Sequence, residues 1–164
     1  MKKQLLSCCL LALGCSALQA QSFKEWQDPN INAVNRSPMH TNYFAYASPE
    51  EAQAGIKENS SNFMTLNGMW KFNWVKDAYR KEIVVPADWK GKEIFAHFGS
   101  VTSNMYLWVN GRYVGYSEDS KLEAEFNLTK YLKPGKNLIA FQVFRWCDGT
   151  YLEDQDFFRF SGVG

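Results

Sequence analysis

The sequence has few of the groups on which enzymes most often rely. It holds two histidines and four cysteines, and three of those cysteines, Cys8, Cys9 and Cys15, fall within the first twenty residues. There is no G-x-S-x-G elbow, phosphate-binding loop, G-x-G-x-x-G turn or C-x-x-C pair. These absences exclude the nucleophile-elbow hydrolases, the phosphate-loop and dinucleotide-binding enzymes and the dithiol oxidoreductases. A net charge of +1 sets up no strong field toward nucleic acid or an anionic membrane. After residue 15 no run is long and apolar enough to span a bilayer.

The first twenty residues read as a signal peptide, residues 1–20. Lys2 and Lys3 precede an apolar run over 5–15, and "ALQA" offers Ala20 as a cleavage residue. The expected location is therefore periplasmic or secreted. A lipoprotein signal modified at Cys15 is less favoured, because Ala12 stands where such signals usually carry leucine. Cleavage leaves Cys147 alone. The mature chain then has no internal disulfide, and a lone thiol reads first as a small buried apolar group.

What the chain does have is aromatic residues, 16% of the total. Rings at this frequency point to a large β core or to a surface that meets rings and sugars. Residues 21–61 are irregular, broken by Pro29, Pro38 and Pro49. Only 49–57 reads as a short helix, capped by Ser48 with Glu50 and Glu51 in its first turn. This segment is expected to be an arm whose rings, Trp26, Tyr43, Phe44 and Tyr46, dock on something else.

From Leu66 the pattern turns to strands. "LNGMWKFNW" places Trp70, Phe72 and Trp74 on one face and Met69, Lys71 and Asn73 on the other. Full burial of the three rings would contribute on the order of 10 kcal/mol. Further strands are expected over 79–85, 93–98, 104–109, 112–117, 137–146 and 156–160. Asn110-Gly111 supplies the turn of a two-residue hairpin, Lys133 to Asn137 supplies another, and "FNLTKYL" suggests one helical turn. His97 should face away from Ile94, Ala96 and Phe98. The predicted class is all-β, an antiparallel sandwich of jelly-roll type.

The closing stretch "WCDGTYLEDQDFFRFSGVG" crowds Asp148, Glu153, Asp154 and Asp156 among Tyr151, Phe157, Phe158 and Phe160. If extended, it puts Asp154 and Asp156 on one face about 7 Å apart, within the range of paired glycosidase carboxylates. Catalytic pairs, however, usually come from separate elements with separate environments. Binding of sugar hydroxyls or of a hard cation is a second reading. A loop of solvated acids is a third.

Three segments then carry a resemblance: "LNGMWKFNW", the block from "FGSVTSNMYLWVNGRYVGYSEDS" through "RWCDGTYLEDQDFFRFSGV", and the arm "EWQDPNINAVNRSPMHTNYFAY". Together they closely resemble the N-terminal part of the large β-galactosidases of glycoside hydrolase family 2. The resemblance implies a jelly-roll sugar-binding domain, here incomplete over 62–164, in an enzyme whose (β/α)8 barrel carries both catalytic glutamates. No residue of this chain is expected to be catalytic.

Asp156, the last aspartate of "EDQD", would meet the sugar 6-hydroxyl and a monovalent cation, Na⁺. A divalent cation, Mg²⁺ or Ca²⁺, would pin the arm to the sandwich through Asp148, Glu118, Glu25, Asp28 and the Ile31 carbonyl. The implied substrates are terminal non-reducing β-D-galactosides, hydrolysed with retention. β-Glucuronidases and β-mannosidases share the sandwich, but the "EDQD" turn and the arm favour galactosides. The implied partners are β-galactoside sugars, the remaining catalytic domains and other copies of the full-length enzyme, with no nucleic acid and no membrane span.

Two departures bear on that expectation. "FNWVKDA" runs straight into "YRKEIVVPADW", where the family has a long segment with further strands and an asparagine of the galactose subsite. No barrel follows Gly164. The chain is therefore expected to resemble a fragment with an internal deletion, catalytically inert and marginally stable by itself, with open sheet edges. Two other readings are a stand-alone carbohydrate-binding module and an interaction fragment that complements a truncated enzyme.

Overall fold

In a computed structural model the described residues are 23–73 and 78–155, the side chains of 154 and 155 excepted. They form two antiparallel sheets with few helical turns. The strands are β1 (Ala33–Val34), β2 (Lys71–Asn73), β3 (Ala78–Val85), β4 (Phe95–Phe98), β5 (Asn104–Val109), β6 (Arg112–Glu118), β7 (Ala124–Asn127) and β8 (Gly135–Phe144). Among the described residues there are two α-helices, α1 (Pro49–Ala54) and α2 (Asp148–Gln155), beside three short 3-10 turns. The larger sheet has the order β1-β6-β5-β8-β3-β2, and β4 pairs with β7 in the smaller one.

The β5–β6 hairpin is the centre of the fold. Asn110 and Gly111 both have positive φ, 52° and 78°. This is the primed turn that matches the twist of the flanking strands. Met105, Leu107 and Val109 of β5 face one way into the core. There they join Val114, Phe126, Leu128 and Ile139, so the two sheets share one apolar interior. Tyr106 and Trp108 face the other way and are covered by the arm. Phe23 packs on the rings of Tyr106, Trp108 and Tyr113 at 5.1–5.4 Å, and Trp26 packs on Phe144 at 5.7 Å. A strand covered on both faces is buried along nearly its whole length, as β5 is.

The arm also adds the edge strand. Ala33 and Val34 pair with Ser117 and Tyr116 of β6. Gly115 permits that approach, since a Cβ there would be driven into the Val34 carbonyl and the Phe126 ring. Ser48 caps α1, its hydroxyl accepting from the Glu51 N–H at 3.3 Å, as the sequence predicts. Phe44 packs against Tyr46 and Phe63. Tyr43 meets the His40 ring within the arm at 5.1 Å and stays 76% exposed.

The structure departs from the sequence reading at five places. Phe72 is 45% exposed beside Tyr79, so the dry face expected for Trp70, Phe72 and Trp74 does not form at its middle position. Trp74 lies outside the described residues. Strand β7 was not expected. The expected strand over 93–98 is shorter, Phe95–Phe98, and that over 137–146 runs earlier, Gly135–Phe144. The tail is helical over Asp148–Gln155 rather than extended, so an extended face through Asp154 is not available. The strand expected over 156–160 lies outside the described residues.

Candidate functional site

Where β6 ends and α2 begins, two carboxylates and a thiol converge. Glu118, Cys147 and Asp148 each offer a ligand atom within 4.8 Å of the others. Glu118 is 8% exposed, and Gly149 lies close against its Oε2. The Tyr116 hydroxyl donates to Glu118 Oε1 at 2.5 Å. Burial first, and then the neighbouring Asp148, push the Glu118 carboxyl up to about 7, although the Tyr116 hydrogen bond pulls the other way. Burial likewise pushes the Cys147 thiol up, so this thiol is not an activated nucleophile.

Two side chains around the cluster have unmet hydrogen-bonding capacity. Asp148 Oδ1 is buried without a partner, as are both polar atoms of Asn104, a residue with no exposed surface. Asn104 pairs with Glu118 across the β5–β6 ladder, so both project from the same face. Buried polar atoms without partners are costly, and a cation or ordered water would satisfy the acidic ones.

The other residues expected here divide. Glu25 does not reach the cluster directly: its Oε2 accepts from the Tyr106 hydroxyl at 3.1 Å, which itself accepts from the Trp26 N–H. The Tyr106 ring lies 4.5 Å from that of Tyr116, so Glu25 and Glu118 sit at opposite ends of a two-tyrosine bridge. Asp28 is engaged within its own loop, accepting from the backbone and side chain of Asn30. The Ile31 N–H donates to the Asp28 carbonyl. Of the expected divalent set, the structure therefore brings Glu118 and Asp148 together and leaves Glu25 and Asp28 on other partners. Asp156 lies outside the described residues.

Sequence reasoning did not find Cys147, Asn104 or Tyr116 as parts of this site. The available signal was the hairpin register, which sets Asn104 opposite Glu118. It also did not find that Glu153 accepts from the N–H and hydroxyl of Ser120 at 2.9 and 2.7 Å, tying α2 to the end of β6. Beside this junction Trp146, Tyr151 and Leu152 stand exposed.

The described residues thus form an antiparallel sandwich with an acidic junction flanked by exposed rings. The sequence comparison makes the class specific: the model of the sugar binding domain of glycosyl hydrolases family 2 matches residues 75–164. The chain belongs to that family. A β-galactosidase of Priestia megaterium (strain DSM 319 / IMG 1521) is 31% identical over 208 residues, covering 88% of this chain and 20% of the relative. A β-galactosidase of Yersinia pestis (strain Pestoides F) is 32% identical over 210 residues, covering 93% and 20%.

This chain thus spans about a fifth of the length of the curated relatives it matches. Both alignments are longer than its own 164 residues, so the relatives carry residues here that it lacks. Among solved structures, a β-glucuronidase from Dictyoglomus thermophilum matches with 28% identity and a TM-score of 0.40, over 42% of this chain and 12% of that one. A β-glucuronidase from an uncultured Clostridium sp. matches with 26% identity and a TM-score of 0.38, over 39% and 11%. Among the described residues, no helix is long and apolar enough to cross a membrane.

Proposed function

We propose that this chain is the sugar-binding part of an exported β-galactosidase-like glycoside hydrolase whose substrates are terminal β-D-galactosides. The observation that carries the reading is the family match over residues 75–164 together with β-galactosidase relatives that cover 88–93% of the chain. In this reading the bond-breaking carboxylates belong to polypeptide beyond this chain, and Asp156 receives a sugar hydroxyl, with Na⁺ as a co-ligand. An ionised carboxylate is acceptor-only and suits that task, but it cannot cleave a glycosidic bond without a second carboxyl group. The exposed Trp146, Tyr151 and Leu152 support a junction that meets a sugar ring or a neighbouring domain.

Glu118 and Asp148 would hold the divalent cation, Mg²⁺ or Ca²⁺. Their fit rests on the buried, unpartnered Asp148 Oδ1 and the proximity of the two carboxyl groups. Such an ion would supply charge neutralisation at the β6–α2 junction, a structural service rather than a catalytic one. The thiol of Cys147 is a softer third donor than either ion prefers.

The test is solution NMR of the whole chain titrated with methyl β-D-galactoside and, separately, with the corresponding β-glucuronide. Shifts confined to the segment around Asp156, seen with the galactoside and abolished by Asp156→Ala, are the expected result. Equal responses to both sugars, or none, would overturn the reading. A chromogenic β-galactoside should not be turned over by this chain alone.

A further inference from the structure

The β6–α2 junction holds a donor that Mg²⁺ or Ca²⁺ does not explain. Cys147 immediately precedes α2. Its sulfur, a carboxylate oxygen of Glu118 and one of Asp148 all lie within 4.8 Å of one another. Hard cations take oxygen ligands and gain nothing from a thiol. Zn²⁺ is borderline-soft and takes thiolate and carboxylate in one shell. Bonds of about 2.3 Å to sulfur and 2.0–2.2 Å to oxygen at tetrahedral angles set ligand atoms roughly 3.4–3.6 Å apart. The three donors therefore need to draw in by an ångström or so to close on such an ion.

Each donor already has the outer contacts that orient a ligand. The Tyr116 hydroxyl occupies Glu118 Oε1, which leaves Oε2 on the side of Gly149. Hydrogen bonds of this kind fix ligating carboxylates. Asp148 Oδ1 is buried with no partner. The Cys147 N–H donates to Thr150 Oγ1 at 2.9 Å, so the Thr150 hydroxyl hydrogen is available to the sulfur, 3.5 Å away. A thiolate only accepts, and Thr150 would donate to it. Burial raises the thiol, while the Thr150 hydroxyl and then the Asn104 amide favour its charged form.

Asn104 points to a ligand independently of these three. It has no exposed surface, stands across from Glu118 in the β5–β6 ladder and lies near enough to the Cys147 thiol to act on it. Yet neither its Nδ2 nor its Oδ1 has a hydrogen-bond partner. A fully buried amide left in this way is costly. Beside a metal-bound thiolate it has two uses: Nδ2 donates to sulfur, or Oδ1 supplies a fourth donor atom.

We propose that Cys147 is a thiolate ligand, and that Glu118, Cys147 and Asp148 form a site selective for a borderline divalent cation of the Zn²⁺ class over Mg²⁺ and Ca²⁺. The proposal rests on the reading of this junction as a cation site and names the ion class that its third donor selects. As the metal–sulfur bond forms, the S–H bond breaks and its proton passes to solvent. The ion ties the end of β6 to the start of α2, elements that Glu153 and Ser120 also join.

The test uses the whole chain with Cys8→Ser, Cys9→Ser and Cys15→Ser, which leaves Cys147 as its single thiol. Zn²⁺, Mg²⁺ and Ca²⁺ are each titrated by calorimetry, and Co²⁺ is followed by absorption. One Zn²⁺ per chain, held tighter than Mg²⁺ or Ca²⁺, and a thiolate-to-Co²⁺ charge-transfer band are expected. Cys147→Ser should lose the band and weaken Zn²⁺ by about tenfold or more, while melting as its parent does in EDTA. Asp148→Asn, which keeps the thiol, should weaken Zn²⁺ as well. His40→Gln combined with His97→Gln should change neither the band nor the affinity. A Co²⁺ spectrum without the band, or Zn²⁺ binding indifferent to Cys147→Ser, would overturn the proposal. If Mg²⁺ or Ca²⁺ then still binds in a manner that depends on Asp148, the reading of the junction as a cation site stands without it. Binding of none of the four ions would overturn both.

Discussion

Asn104 on β5 stands across from Glu118 on β6, and neither polar atom of the asparagine has a hydrogen-bond partner in its fully buried position. The pair forms the floor of the acidic junction. The amide lies in the same buried junction as a carboxyl group that favours its proton.

That arrangement gives a pH dependence with a definite sign. Glu118 has a folded value of about 7 against an ordinary 4.5. Between those values the folded chain keeps a proton that the unfolded chain has released. Stability from this group is therefore fully present below about pH 4.5 and is lost as pH rises through 7, by at most about 1.4 kcal/mol per pH unit. Denaturant titrations in EDTA from pH 4.5 to 8 should show this decline. Glu118→Gln should flatten it and raise stability at pH 8.

Gly115→Ala should detach the arm. The new methyl group meets the Val34 carbonyl and the Phe126 ring, one of them backbone, so relief requires β1 to move. A loss of about 1–3 kcal/mol is expected. Limited proteolysis should cut the variant around residues 33–36 under conditions in which the unsubstituted chain is spared.

Tyr106→Phe removes one hydroxyl that serves both the Glu25 carboxylate and the Trp26 N–H. The ring packing on Phe23 and Tyr116 is kept. The expected cost is about 1 kcal/mol, with the change in amide shifts confined to the 25–27 turn and its contact with α2. Shifts spread throughout the core would contradict this assignment.

Glu153→Ala should free α2. Two hydrogen bonds to Ser120 are lost, both to a charged acceptor, and such bonds are worth about 1.5–3 kcal/mol. Hydrogen exchange over 148–153 should accelerate by about tenfold or more, with protection of β5 unchanged.

Much of the larger sheet was legible because its signals are local. Asn110-Gly111 fixes a primed turn, and the bounds expected for β5, 104–109, are those observed. Ser48 fixes the start of α1 through its own side chain. The failures are tertiary in origin. The short "AEFN" of β7 has no pattern of its own and exists because β4 lies beside it. Phe72 alternates as a buried residue would, but alternation names a face without supplying its cover. The sequence leaves the tail open between a loop and an extended run. Glu153 on Ser120 and Thr150 on Cys147 decide for a helix, and neither bond can be seen in sequence. Family resemblance names Glu118 and Asp148, and the structure brings the two together. Cys147 and Asn104 join them through register and chain reversal, which no motif records.

The edge position of β1 has a consequence for biosynthesis. Ala33 leaves the ribosome long before Ser117, its partner in the ladder. At about 5–20 residues per second the wait is on the order of 4–17 s. During that interval Phe23, Trp26 and Val34 have no sheet to lie on, and a holdase would have apolar surface to cover there.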